Sequence, residues 1–142
     1  MSKAEFYTYD KVIGKVFSRV ERGKEDTNHE ESILFWVDDE EKPRYKLYHD
    51  QDCCEHVYIE SVVGDLQDLV GVPILLAEVV YKDDTKKDAD DYYNESATWS
   101  FFKFATRKGY VDIRFHGSSN GYYSETATLG ELVERNGWDY YQ

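Results

Sequence analysis

Apolar residues along this chain recur mostly at the period of two that marks strands. Ser32 to Val37 is almost wholly apolar and predicts a buried strand, with Ile33, Phe35 and Val37 on one face. The run Asp38-Asp-Glu-Glu-Lys-Pro43 turns the chain, and Arg44 to Tyr48 returns with Tyr45 and Leu47 on one side, which predicts a hairpin. Ile74 to Tyr81 is rich enough in apolar residues for a central strand. Ala97 to Arg107 is aromatic and β-branched, Lys108-Gly109 offers a tight turn, and Val111, Ile113 and Phe115 then alternate with Tyr110, Asp112, Arg114 and His116. Asn120-Gly121 suits a two-residue hairpin turn, so Tyr122 to Leu129 is expected to run back as a third consecutive antiparallel strand.

Elsewhere the pattern is less regular. The first ten residues show no clear period and read as a flexible arm or a short helix. Lys11 to Val20 fits either period, and its β-branched bias favours a strand. Glu21 to Glu31 reads as a charged loop and Val57 to Ile59 as a short strand. Val62, Leu66 and Leu69 fall at i, i+4 and i+7, with Gly71 and Pro73 behind them, which predicts a two-turn helix. Leu129, Leu132 and Val133 predict a second short helix ended by Gly137. Residues 82–95 form an acidic excursion with nothing to bury and are expected to be a mobile loop. These elements sum to one α+β domain over residues 1–142, built on an antiparallel, strongly bent sheet with a short helix after the Cys-Cys segment and another near the C-terminus.

Composition narrows what such a domain does. An aromatic share of 16% in 142 residues argues for a folded chain despite 32% charged residues. A formal net charge of -12 disfavours direct contact with a nucleic-acid backbone, which needs cations to displace counterions, and favours a basic protein partner or simply serves solubility. No run approaches the roughly 18 apolar residues of a membrane span, and the start Met-Ser-Lys-Ala-Glu-Phe lacks the apolar core of a signal peptide, so a cytoplasmic protein is expected. Two adjacent cysteines supply no disulfide framework, and both read as thiols.

The string Tyr48-His-Asp-Gln-Asp-Cys-Cys-Glu-His-Val-Tyr-Ile-Glu60 is followed by Val63-Gly-Asp-Leu-Gln-Asp-Leu-Val-Gly71, Thr98-Trp-Ser-Phe-Phe-Lys-Phe-Ala-Thr-Arg-Lys-Gly109 and Ser119-Asn-Gly-Tyr-Tyr-Ser-Glu125. Over roughly residues 11–128 this set resembles an uncharacterised domain family that recurs in tailed-phage and bacterial genomes. The resemblance carries no activity. It implies a setting, a small phage accessory protein in a host cytoplasm, for which interference with host defence or host enzymes is a common occupation.

Three constellations bear on chemistry. His49, Cys53, Cys54 and His56 are zinc-ligand types packed into eight residues, so a structural zinc is one reading. Adjacent side chains on a strand point to opposite faces, however, and the blander reading makes one cysteine a small core residue with Asp50 and Asp52 shaping a turn. A catalytic thiol is disfavoured because Asp50, Asp52, Glu55 and Glu60 surround the pair with negative charge. No phosphate-binding loop, dinucleotide fingerprint or serine elbow occurs, so a non-enzymatic protein is expected.

The second constellation lies in the C-terminal strands. Trp99 with Arg107, Arg114, His116, Ser119, Asn120 and Tyr122 would offer stacking faces, guanidinium groups and loop donors to a planar anionic ligand such as a nucleotide signal. The ordinary reading places Trp99 and the phenylalanines in the core. The third is acidic: Asp83, Asp84, Asp90 and Asp91, with Tyr92 and Tyr93, would present a negative surface with aromatic anchors to a basic groove, or would simply be solvated. The expected function is binding and inhibition of a host protein in defence or nucleic-acid handling. Sequestration of a nucleotide and a small zinc protein are the alternatives.

Overall fold

The computed structural model describes residues 4–23, 31–85 and 96–142. Its strands are β1 (Ala4–Thr8), β2 (Arg19–Arg22), β3 (Ile33–Trp36), β4 (Tyr45–Tyr48), β5 (His56–Val63), β6 (Leu76–Asp83), β7 (Ser96–Thr106), β8 (Gly109–Ser119), β9 (Thr128–Arg135) and β10 (Trp138–Tyr141). They form two antiparallel five-stranded sheets, ordered β1-β6-β7-β8-β5 and β10-β9-β4-β3-β2. The chain starts in the first sheet, lays β2 to β4 in the second, returns for β5 to β8 and finishes in the second.

Alternation decides what lies between the sheets. Val111, Ile113 and Phe115 of β8 and Phe102 and Phe104 of β7 point inward and are fully buried or nearly so, facing Ile33, Phe35 and Leu47 of the second sheet. Phe35 links the layers, its ring 5.0 Å from Phe17 and 5.4 Å from Phe104. Burying one such ring contributes roughly 1.5–3 kcal/mol, so these phenylalanines supply much of the force holding the layers together. On the far side of the second sheet, the Lys46 ammonium lies 4.7 Å from the Tyr48 ring and 5.4 Å from the Tyr141 ring, tying β10 to β4.

The architecture is all-β, which corrects the α+β expectation. Among the described residues the only helical pieces are 3-10 turns at Asp10–Val12 and Leu66–Leu69. The helix expected after the cysteines is absent because Val62 and Val63 extend β5 against Ile113 and Asp112 of β8. Gly64 then turns at φ +105 where a Cβ would sit 2.6 Å from the Tyr110 carbonyl oxygen. The helix expected near the C-terminus is β9, paired with β4 and β10, because the hydrogen-bonding edge of β4 needs a partner. Residues 4–8, read as arm or short helix, form β1 against β6.

Three consecutive strands do not form at the expected place either. After β8 the segment 120–127 is not a strand and carries the chain to the second sheet. The β3–β4 and β7–β8 hairpins stand where the pattern placed them. Residues 86–95 of the expected mobile loop lie outside the described residues, while Lys82 and Asp83 belong to β6. No helix among the described residues is long and apolar enough to cross a membrane.

Candidate functional site

The outer face of the first sheet carries side chains that the core does not use. Register aligns Tyr58, His116, Trp99 and Lys82 in one row across β5, β8, β7 and β6. The next row holds Arg114, Phe101, Val80 and Phe6. Directly opposed residues in an antiparallel sheet share a face, so the two rows form one surface. Its rings touch in sequence. His56 stacks on Tyr58 at 5.1 Å, Tyr58 reaches His116 at 5.9 Å, and Trp99 meets His116 edge-on at 4.5 Å. Trp99 lies over Phe101 at 5.6 Å, and the Arg114 guanidinium sits 5.6 Å above Phe101. At the rim His116 Nε2 is 3.1 Å from an Asp84 carboxylate oxygen. Phe6, at the β1 edge, is 57% exposed, which leaves an open aromatic flank.

Of the residues expected to bind a ligand, Trp99, Arg114 and His116 come together on this face, and Trp99 and Phe101 are not core. The others do not join them. Arg107 sits in the turn at the far end of β7, eight residues or about 26 Å along the strand from Trp99. Ser119 points inward, and its hydroxyl donates to Glu125 Oε1 at 2.9 Å and accepts from Gly121 N at 2.9 Å. Asn120 and Tyr122 lie in the following loop, where the Asn120 side chain caps Tyr122 N at 3.1 Å. Of the acidic set, Asp84 reaches His116 and Asp83 accepts from Thr85 N at 2.8 Å. Asp90, Asp91, Tyr92 and Tyr93 lie outside the described residues. The sequence reading missed Tyr58 and Phe6. Tyr58 was signalled by its place between the inward Val57 and Ile59.

The Cys-Cys segment is built around a carboxylate. Glu55 is buried, and its Oε1 accepts from Gln51 Nε2 at 2.6 Å, Cys53 N at 2.9 Å and Asp52 N at 3.1 Å. Burial pushes its pKa up, but the backbone N–H groups of Cys53, Asp52 and Glu55 itself, with the His49 charge, outweigh that and hold it below the usual carboxylate range. His49 Nδ1 faces the Thr126 carbonyl at 2.8 Å, while His56 is on the opposite side of its strand, stacked on Tyr58. Cys53 and Cys54 are joined to each other, a correction to the reading of two thiols. The four candidate zinc ligands therefore do not converge, and no group of three or more His, Cys, Asp or Glu that could hold a metal ion is found among the described residues.

No curated protein and no solved structure matches the chain. The model of an uncharacterised family, described as Domain of unknown function (DUF7448), matches residues 10–129, a span that includes β2 to β8 with the Cys-Cys segment and most of the aromatic face, and the chain belongs to that family.

Proposed function

We propose that this protein is a non-enzymatic binding module whose recognition surface is the outer face of the first sheet, and that its partner is another protein. The observation that carries this reading is the continuous line of rings from His56 through Tyr58, His116 and Trp99 to Phe101, ending on Arg114. Aromatic and arginine side chains grouped on an open surface are what dominate the energetics of protein interfaces. The surrounding negative charge, -12 over the chain, with Asp84 at the rim, suits a partner with a basic margin and speeds encounter with it. In the phage setting implied by the resemblance, that partner would be a host protein and the outcome inhibition.

The test is capture from host lysate on immobilised protein, with protein and small-molecule mass spectrometry of the eluate. A partner retained by the wild type, lost with Trp99→Ala or Arg114→Ala and kept with Trp138→Ala supports the reading. Trp138 is 77% exposed on the other sheet and so controls for general stickiness. A partner kept by all the variants removes it. A second reading rests on the same convergence of Trp99, Arg114 and His116: a planar anion stacked on the rings with its charge on Arg114. A nucleotide released on heating the purified wild type, and absent from Arg114→Ala, would favour it.

A further inference from the structure

A cleft on the inward side of the β1–β6 margin is independent of that face. Beyond the core the inner surface of the first sheet runs on past the cover of the second, leaving a cleft of about 650 Å³. Its walls are Tyr7 and Tyr9 at β1, Tyr81 on β6, and Thr98, Thr126 and Thr128. The rings of Tyr7 and Tyr81 stand 5.8 Å apart, tilted at 58°, and make two sides of a corner. Tyr9 is fixed from behind by stacking on Phe102 at 6.3 Å, and its hydroxyl accepts from Leu129 N at 3.4 Å. The Tyr81 hydroxyl donates to the Ala127 carbonyl at 2.7 Å, which locks that ring in place.

Two carboxylates stand at the mouth. Glu5 accepts a hydrogen bond from the Tyr7 hydroxyl at 3.1 Å, and Asp83, two residues along β6 from the Tyr81 that pairs with Glu5, borders the cleft beside it. Lys82 borders the cleft, but its register with Ala4 and Trp99 directs its side chain to the outer face. An anion would meet Glu5 and Asp83, and an apolar group would strip water from those two carboxylates without bringing a charge to face them. A cation on an alkyl stem suits what lines the cleft: tyrosine rings for its positive head, carboxylates beside it, and threonine side chains along the stem.

We propose that this cleft binds an alkylammonium group, the head of a lysine side chain or of a free polyamine. The long-range field of a chain with net charge -12 favours the same class of ligand.

The experiment is a titration of the full chain followed by amide and tyrosine-ring NMR, with four probes: N-acetyl-lysine methylamide, its Nζ-trimethyl form, spermidine, and N-acetyl-norleucine methylamide as the neutral counterpart. Saturable shifts at Tyr7, Tyr81 and Thr128 are expected with the ammonium probes and not with the norleucine compound. Tyr7→Ala should weaken binding by about fivefold or more. Glu5→Gln with Asp83→Asn, which removes charge and no ring, should do the same and flatten the salt dependence. Tyr7 is 51% exposed on an edge strand, so the fold tolerates its loss, and dispersed spectra of both variants check this. Tighter binding of spermidine names a free polyamine as the source, and tighter binding of either lysine compound names a protein side chain. Equal shifts from the norleucine compound, shifts indifferent to both variants, or no saturable shift by about 10 mM overturn the proposal. Trp99→Ala leaves the titration unchanged, so failure here and failure of the outer-face reading are separately visible.

Discussion

The His49 ring and the Glu55 carboxylate face each other at 3.6 Å with almost no solvent access to either side chain. Among the described residues His49 Nε2 and Glu55 Oε2 have no hydrogen-bond partner, so mutual attraction at this distance is what favours these two buried atoms. The other carboxylate oxygen gathers the turn that holds both cysteines, which makes Glu55 the keystone of that segment.

This arrangement predicts a specific acid response. The folded-state pKa of Glu55 lies below its unfolded value, so its contribution to stability is present above the unfolded value and is lost as pH falls through the folded one. Glu55→Gln should lower the melting temperature by several degrees at neutral pH and flatten its decline below the ordinary carboxylate range. Glu60→Gln, at an exposed position, serves as the control in the same thermal scans.

Phe35 is one of the side chains that join the second sheet to the first, its ring 5.4 Å from Phe104. Phe35→Ala should cost about 3–5 kcal/mol, read as a lower urea midpoint, because the cavity it leaves is walled by two rigid layers that cannot collapse onto it.

Gly117 marks a close crossing. A Cβ there would lie 2.0 Å from the Glu125 carbonyl oxygen, so the return segment passes directly over β8. Gly117→Ala should destabilise by about 3 kcal/mol, the upper end for overpacking, and should also break the buried Ser119–Glu125 hydrogen bond. Urea denaturation measures the first, and loss of amide protection at Gly121 and Ala127 reports the second.

The β9–β10 hairpin turns on Asn136 and Gly137, at φ 53 and 80. Gly137→Ala should cost about 1–2 kcal/mol, because alanine resists a left-handed backbone. The loss should appear first as faster hydrogen exchange at Glu131 and Gln142, which bond to each other's carbonyls at 3.0 and 2.9 Å.

Comparing the two Asn-Gly pairs shows where the sequence was legible. Asn120-Gly121 looked like the hairpin turn, yet of that pair only Gly121 has positive φ, whereas both residues at 136–137 do, as a primed turn requires. What diverted the chain at Asn120 is not local: Glu125 crosses over Gly117 to reach Ser119, and that crossing sends residues 120–127 to the other sheet. The apolar residues 129, 132 and 133 carry a helical spacing, and pairing with β4 at 129 and with β10 at 132 and 133 makes them a strand. Local alternation did place β3, β4, β7 and β8, because each has one face fully committed to the core. For the candidate sites, Trp99, Arg114 and His116 were readable because they alternate on adjacent strands. Tyr58 came from a strand read as too short, and Tyr7 and Tyr81 meet only through the pairing of β1 with β6, which nothing near either residue foretells.

The chain's shuttling between layers has a kinetic consequence. β1 waits for β6 seventy or more residues downstream, and β4 waits for β9 eighty or more downstream. Pairings of such separation fold slowly, on a millisecond-to-second scale. A ribosome that has released only the first hundred residues would display the β3–β4 hairpin with Phe35 and Leu47 still bare. In that interval the nascent protein is most exposed to aggregation and to chaperone capture.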